Sequence, residues 1–471
     1  MEQFIMWSAA FIAVALVVYM LLIKADIKMT LLGVGLALLY VATILLGNSV
    51  AETGNAILDP FQVVVDQFKK ILPKAGLIIL ILGGYSSYMS AIGANEVTVD
   101  VLTKPLKGIK SAYVLVPFVF LLGNLLSLVV PSASNLAIIL LATLYPVLKK
   151  SGMSTLTAAA VIATTATVMP TPLGGDNVAI AEELSQYSDF TGLTASEYVF
   201  SYHALVSIPT LILMAVVHYF WQKYQDKKLI AKGIQIEEDV TIDTTKAVEI
   251  QGGVLYKTVY ALLPIFPIIL LLVFYILGTS NVVNVNLSVG LSVLVSFLVA
   301  IIAELIRRRF NGKEVFKHTE TFFKGMGNGF GIVALLVAAS VFVSGLKGIG
   351  IVDAIREIMQ NNQGQGFVLP LILVLFTALI VILSGSGTAL FYSMVPLMYP
   401  LAAAAGISAL AVTIPMGLAG NLLRAVSPVS AVVVIVAGTT KQNPFNIVKR
   451  TSVPMISGVI FMFILSMIMF L

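Results

Sequence analysis

Long apolar blocks separated by short polar breaks run the length of the chain. About twenty apolar residues are needed to cross the hydrocarbon of a bilayer. Eight uninterrupted blocks approach or exceed that length: 4–23, 29–47, 76–93, 198–221, 255–277, 287–305, 328–346 and 452–471. Two more, 155–186 and 409–438, are long but interrupted by Gly, Pro and polar residues. Another two, 112–148 and 367–402, are apolar with a polar break in the middle. The pattern predicts an all-α polytopic membrane protein with about ten spanning helices, two of them broken, plus two re-entrant hairpins.

Loop charge adds an orientation, because short loops rich in Lys and Arg stay in the cytoplasm. Loop 222–254 carries Lys223, Lys227, Lys228, Lys232 and Lys246, and loop 306–324 carries Arg307, Arg308, Arg309, Lys313, Lys317 and Lys324. Both are expected inside. Loops 187–197 and 278–286 have no basic residue and are expected outside, whereas Lys24 and Lys28 hold the first loop inside. Both termini then lie outside. Lys104, Lys107 and Lys110 precede block 112–148, and Lys149 and Lys150 follow it. A segment flanked by cytoplasmic charge at both ends enters and returns on one side, as a hairpin with "VVPSASN" at its tip. Two ordinary spans with a short outer loop are the alternative.

The tip recurs. "VVPSASNLAIILLATLYPVLKKSGMSTL" (129–156) matches "LSGSGTALFYSMVPLMYPLAAAAGISAL" (383–410) at a constant shift of 254. Ser132 pairs with Ser386, Tyr145-Pro146 with Tyr399-Pro400, and Gly152 with Gly406. In each half a broken helix follows the hairpin, and in each two spans and an amphipathic charged stretch (57–74 and 308–324) come before it. By the charge rule the halves start on opposite sides, so they are expected to be inverted repeats, a transporter signature. The domain expectation is a first repeat over 1–225, a cytoplasmic linker over 226–254 and a second repeat over 255–471.

Irregular backbone at mid-depth survives only inside protein or against a polar cavity. Breaks are expected at 131–135, 170–177, 384–388 and 418–430, all rich in Gly, Pro, Ser, Thr or Asn. Each exposes N–H groups at the start of a half-helix, which attract anions. Arg424 lies inside the fourth break. An arginine at bilayer depth costs about 2.5–3.5 kcal/mol on insertion scales. It is therefore expected to hold a substrate carboxylate; a structural pair with Asp176, or a position near a membrane surface, are the alternatives. Asp176 is a coupling-ion candidate, by protonation or Na+ binding, or else part of a helix N-cap in "GGDN".

Composition narrows the class. The chain has 471 residues, 59% hydrophobic and 11% charged, with no cysteine and three histidines. No disulfide, thiolate metal site or thiol nucleophile is possible, and zinc chemistry is not expected. His203 and His218 read as packing residues, and Trp7 and Trp221 as interfacial anchors. Lys+Arg number 28 against 23 Asp+Glu, but no basic helix or aromatic-interleaved basic patch occurs, so no nucleic-acid partner is expected. "GSGTA" follows no soluble strand and Ser386 has no nucleophile elbow around it, so neither a nucleotide loop nor an enzyme is expected. No metal or cofactor is called for. The first apolar block lacks a basic leader and reads as a spanning helix.

"YALLPIFPII", "GDNVAIAEE", "GSGTALFYSMVP", "RAVSPVSAVVVIVAG" and "PFNIVKRTSVP" resemble the DcuC family of anaerobic C4-dicarboxylate transporters, over nearly the whole chain and most densely from 384 to 455. Thr388 and Leu173-Gly174 depart from the family's usual patterns, and these changes bear on substrate preference. The resemblance implies exchange, uptake or efflux of succinate, fumarate and malate across the bacterial inner membrane. It also implies membership of a wider group of ion transporters in which paired hairpins bind substrate and a transport domain moves as an elevator. H+ is the expected coupling ion, with Na+ the alternative, and a homodimer is the expected assembly in the bilayer. One arginine cannot neutralise a dianion, so half-helix N-termini at 131–136 and 384–390 would supply a second positive end. The substrate-binding candidates are Ser132, Ser134, Asn135, Thr171, Gly174, Ser384, Ser386, Gly387, Thr388, Asn421, Arg424, Ser427 and Ser430, with Asp176 for the coupling ion. The rivals are a cation/proton antiporter, a carrier of another organic anion and, less favoured, an ion channel.

Overall fold

The computed structural model describes all residues except 1, 110, 131, 169, 232–252, 281, 283, 284, 286 and 361–365. It is all-helical, with no strand among the described residues. The first half holds α1 (Glu2–Leu22), α2 (Ile27–Leu45), α3 (Asp59–Ile71), α4 (Leu77–Ala91), α5 (Ala94–Thr103), α6 (Ala112–Leu126), α7 (Ala133–Thr143), α8 (Tyr145–Lys150), α9 (Thr155–Ala163), α10 (Gly175–Leu184) and α11 (Ala195–Ile230). The second holds α12 (Val254–Thr279), α13 (Val289–Arg307), α14 (Gly312–Gly348), α15 (Ile351–Gln360), α16 (Val368–Ser384), α17 (Gly387–Ala404), α18 (Leu410–Arg424), α19 (Ala431–Thr440) and α20 (Pro444–Phe470).

Nine helical segments among the described residues are long and apolar enough to cross a membrane, one of them the kinked pair α3–α4 taken together (Asp59–Ala91). Eight coincide with the eight uninterrupted blocks, and the ninth is α17. The broken helices account for the rest of the expected ten: α9, α10, α18 and α19 have 9, 10, 15 and 10 residues, each too short to cross alone. Element order repeats between the halves. A long helix pair, a crossing helix, a short helix, a helical hairpin, a broken helix and a long final helix occur twice.

The amphipathic stretches differ between the halves. Pro73 lies in a turn at Leu72–Gly76 that separates α3 from α4, and Lys74 there has non-helical dihedrals (φ −103°, ψ −110°). The second half has no proline at that point. The charged stretch 308–324 therefore runs straight from Gly312 into the following span, giving one 37-residue helix, α14. The linker expected over 226–254 begins as helix, since α11 continues through Ile230, and 232–252 lie outside the described residues.

α14 is the central post, and it packs most extensively on α4 and α2. Glycines allow this. A Cβ on Gly35 would lie 2.7 Å from the Phe342 backbone nitrogen, and one on Gly83 would lie 2.8 Å from the Gly325 carbonyl oxygen. Without a hydrophobic force between helices in lipid, such close backbone approach supplies the packing. The outer surface is apolar: Phe4, Phe11 and Ile12 on α1, and Ile460, Ile464 and Ile468 on α20, are exposed as lipid-facing side chains are. The buried charges of Arg450 and Asp226 pair at 2.7 Å between α20 and α11.

Candidate functional site

Residues near three of the breaks meet the α4–α14 crossing around a cavity of about 410 Å³. The N-terminus of α10 contributes Gly174 and Asp176, with Thr171 just before it. The N-terminus of α17 contributes Gly387 and Thr388, and the C-terminal turn of α18 contributes Asn421 and Arg424. The opposite wall is Tyr85, Ser86 and Ser87 of α4 and Asn328 of α14. Ser127–Val129, at the turn of the first hairpin, close one end.

Arg424 crosses between the two broken helices. Its Nη2 donates to the Ala166 carbonyl oxygen at 2.9 Å. Ala166 is turned into the left-handed region (φ 63°), which an alanine rarely adopts. Among the described residues Arg424 makes no close-contact ion pair with Asp176. Asn421 Nδ2 donates to Asp176 Oδ2 at 3.2 Å, and the other carboxylate oxygen accepts from the Asn177 backbone at 3.0 Å. Gly174 is the N-cap of α10 and Asp176 stands in its first turn, where the helix dipole favours a negative charge. Asn177 ties the turn by donating to the Thr171 carbonyl at 3.0 Å.

Glycine sets the second broken helix against the second hairpin. A Cβ on Gly387 would fall on the Gly420 carbonyl. Gly385 caps α16 with φ 76°, and a Cβ there would sit 2.8 Å from the Ser430 nitrogen. Those approaches bring the α17 N-terminus next to Arg424.

Seven of the sequence candidates line the cavity, Asp176 among them, and seven do not. Ser132 caps α7, accepting from the Asn135 nitrogen at 3.3 Å, and Asn135 is exposed. Ser134 lies on the same turn of α7, away from the cavity. Ser384 accepts from the Ser386 backbone at 3.2 Å, and Ser427 donates to the Ile382 carbonyl at 2.8 Å. The Ser430 hydroxyl is buried with no hydrogen-bond partner among the described residues. The first hairpin reaches the cavity through Ser127 rather than through its "PSASN" side.

Sequence reasoning did not find Ser86, Ser87 and Asn328. They sit in continuous helices whose periodicity looks like any other span. None of the three, nor Thr388, has a side-chain hydrogen bond to protein among the described residues. Asn124 was also missed. Its Oδ1 accepts from the Thr167 nitrogen (2.9 Å) and the Val168 nitrogen (3.0 Å), and its Nδ2 donates to the Phe120 carbonyl (2.9 Å). It therefore holds open the first break. A lone amide in the apolar run "VLVPFVFLLGNLL" was the available signal. No cluster of three or more metal-ligating side chains occurs among the described residues.

Comparison with known proteins extends over the whole fold. The family described as "C4-dicarboxylate anaerobic carrier" matches residues 6–471. The chain is 38% identical over 395 residues to the probable anaerobic C4-dicarboxylate transporter DcuC of Vibrio cholerae, covering 84% of this chain and 82% of that one. It is 37% identical over 395 residues to the Escherichia coli K12 anaerobic C4-dicarboxylate transporter DcuC, covering 84% and 80%. Among solved structures it shares its fold with the Alcanivorax borkumensis YdaH transporter (TM-score 0.59, 16% identity, 87% of each chain covered). Neisseria gonorrhoeae MtrF, titled as illuminating a class of antimetabolite efflux pumps, aligns with TM-score 0.57 at 14% identity over 87% and 84%. The chain belongs to the DcuC family of anaerobic C4-dicarboxylate carriers.

Proposed function

We propose that the protein is a secondary active transporter that exchanges, takes up or releases C4-dicarboxylates across a bacterial inner membrane. The observation that carries this is Arg424: a guanidinium lining a cavity between broken helices, bonded to one carbonyl and to no carboxylate. Its remaining donors suit a planar carboxylate, which accepts two parallel N–H bonds. Thr388, at the N-terminal turn of α17, and Asn421 add neutral donors beside it.

Asp176 is the proposed proton site. Its carboxylate meets an amide and a backbone N–H rather than a cation, so a proton or a small cation can join it when an anionic substrate arrives. The two halves act as inverted repeats. Arms of 15 and 11 residues in the first hairpin span about 22 and 16 Å, short of a 30 Å hydrocarbon layer, which supports a re-entrant hairpin. Hairpins and broken helices form the moving unit of an elevator. α1–α4 and α12–α14 form the fixed scaffold, which a second copy shares in a homodimer. Both termini face outside.

The test is labelled succinate uptake into proteoliposomes preloaded with succinate, fumarate or buffer, with and without a pH gradient. Acceleration by internal diacid is expected, and Arg424→Ala should reduce it by about 10–100-fold, the worth of a charged hydrogen-bonded contact. Wild-type rates from inserted Arg424→Ala protein would remove the arginine from the site. Cation-dependent proton movement without any diacid would instead support an antiporter using Asp176.

A further inference from the structure

A second, much smaller cavity lies elsewhere on the same crossing, between α14, the α3–α4 turn, α10 and α17. Its scaffold wall includes Ile71, Lys74, Ala75, Leu336 and Ser340. Moved by the 254-residue shift between the halves, these become Gly325, Asn328, Gly329, Leu82 and Ser86. All five of those line the large cavity. The shift is well supported along these helices, since Ile78, Leu82, Ser86 and Ser90 meet Ile332, Leu336, Ser340 and Ser344, one helical face repeated at every fourth residue.

We propose that the small cavity is the closed counterpart of the substrate site's scaffold wall, opened in the opposite-facing state, in which Lys74 replaces Asn328 as the partner of the substrate's distal carboxylate. This rests on the carrier function proposed for the large cavity. When the moving unit shifts along the scaffold, the cargo leaves Ser86 and Asn328 and meets Ser340 and Lys74. The two walls are not equivalent. One offers an amide and a hydroxyl, the other an ammonium with Lys70 nearby. A charged donor holds a carboxylate more strongly than a neutral one does. The protein therefore binds a dianion more tightly on the Lys74 face, which is the outer one in the orientation proposed.

The opposing helix fits this asymmetry. Glu182 and Glu183 of α10 line the small cavity with Lys70 and Lys74. Counted from the helix starts at Gly175 and Ala431, the residues at the same places on α19 are Gly438 and Thr439, which bring no charge to the large cavity. In the state observed, the moving unit's own carboxylates stand where the lysines face, and a substrate dianion takes over that role once the cavity opens.

The chain has no cysteine, so single-cysteine probes need no altered background. In full-length protein, Ser86→Cys and Ser340→Cys are labelled with a membrane-impermeant maleimide in oriented vesicles. The two are expected to react from opposite faces, and succinate on one side should raise one rate while lowering the other. A bis-maleimide link in Lys74→Cys/Glu182→Cys protein should hold Ser340→Cys unreactive while leaving Ser86→Cys reactive. Lys74→Gln should raise the apparent KM for succinate about tenfold on one face and leave the other within about twofold, with Lys74→Arg restoring it. Equal effects on both faces, or Ser340→Cys labelling indifferent to the cross-link, would overturn the inference. Absence of succinate transport by the wild type would sink the carrier function alone, because the cross-linking readout needs no substrate.

Discussion

The two broken helices meet the same physical demand by different means. Both interrupt a helix inside apolar surroundings, where each unsatisfied backbone group costs several kcal/mol. The first break, between α9 and α10, runs over eleven residues, 164–174, and one side chain brackets it. Asn124 reaches in from α6, accepting from the Thr167 and Val168 nitrogens. The second break, between α18 and α19, is only six residues, 425–430. Two hydroxyls tie it to other helices: Ser427 donates to the Ile382 carbonyl of α16 at 2.8 Å, and Thr451 of α20 donates to the Ala425 carbonyl at 2.6 Å. The long break can turn Ala166 outward and present a carbonyl; the short one holds its arginine against the end of a helix. The halves then interlock through Arg424 on Ala166 and Asn421 on Asp176. Relatedness in sequence has therefore left one half as the acceptor of a contact and the other as its donor.

Removing Asn124 is the largest test of that difference. Asn124→Leu keeps the branched outline of the side chain and deletes the bracket, leaving two buried backbone N–H groups without partners. Each costs about 1–3 kcal/mol. The thermal midpoint in detergent should fall sharply, and Arg424 should lose its defined carbonyl, so transport should fall with it. An unchanged midpoint would show that the first break is held by packing and that the two breaks are alike.

Gly387→Ala sharpens the comparison from the other side. The second break depends on backbone approach, and a methyl at 387 would strike the Gly420 carbonyl. Overpacking of this kind costs about 1–3 kcal/mol. The expected signature is reduced succinate exchange with modest loss of stability, because hairpin and broken helix separate at the site. Gly438→Ala, where a Cβ meets open space, is the matched control and should behave as wild type. Similar losses in both variants would mean that any added methyl on these helices, rather than the close approach at 387, is what the protein fails to tolerate, since alanine is by itself the better helix former.

The spans were plain in the sequence because hydrophobic length is a one-dimensional signal, and eight blocks became eight helices. The breaks were legible in kind for a related reason, since clustered Gly, Pro and Ser weaken a helix where they stand. They were not legible in extent: 418–424 stay helical in α18, which puts Arg424 in the last turn before the break instead of inside it, and the first break starts at 164 rather than 170. Arg424 and Asp176 stood out as charges where charge is costly. What could not be read was which polar groups would turn inward. Ser132 and Ser386 occupy matched positions in the repeat, yet neither lines the cavity, whereas Ser86 and Asn328, buried in ordinary-looking periodicity, do. That choice is made by the crossing of α4 on α14, a tertiary fact set by glycines 83, 325 and 329 together. The straight run of α14 through its charged segment was likewise hidden, because it depends on the absence of a counterpart to Pro73 rather than on any residue present.

Thr451→Val tests the smallest term, and it is the most specific to the second break. The threonine Oγ1 is buried and shares its proton between the Ala425 carbonyl and the Val448 carbonyl at 3.1 Å. Valine has nearly the same shape but no hydroxyl. The Val448 carbonyl belongs to the regular turn of α20, whereas Ala425 is the first residue past Arg424. The loss therefore falls on the end of α18, at about 0.5–1.5 kcal/mol. Stability should drop by less than in Asn124→Leu, while the apparent KM for succinate should rise, since the turn that aims Arg424 is loosened. Thr451→Ser, which keeps the hydroxyl, should restore the KM. If Thr451→Val lowers stability with no change in KM, the hydroxyl only fastens α20 to α18, and the aim of the arginine is set by Ala166 alone.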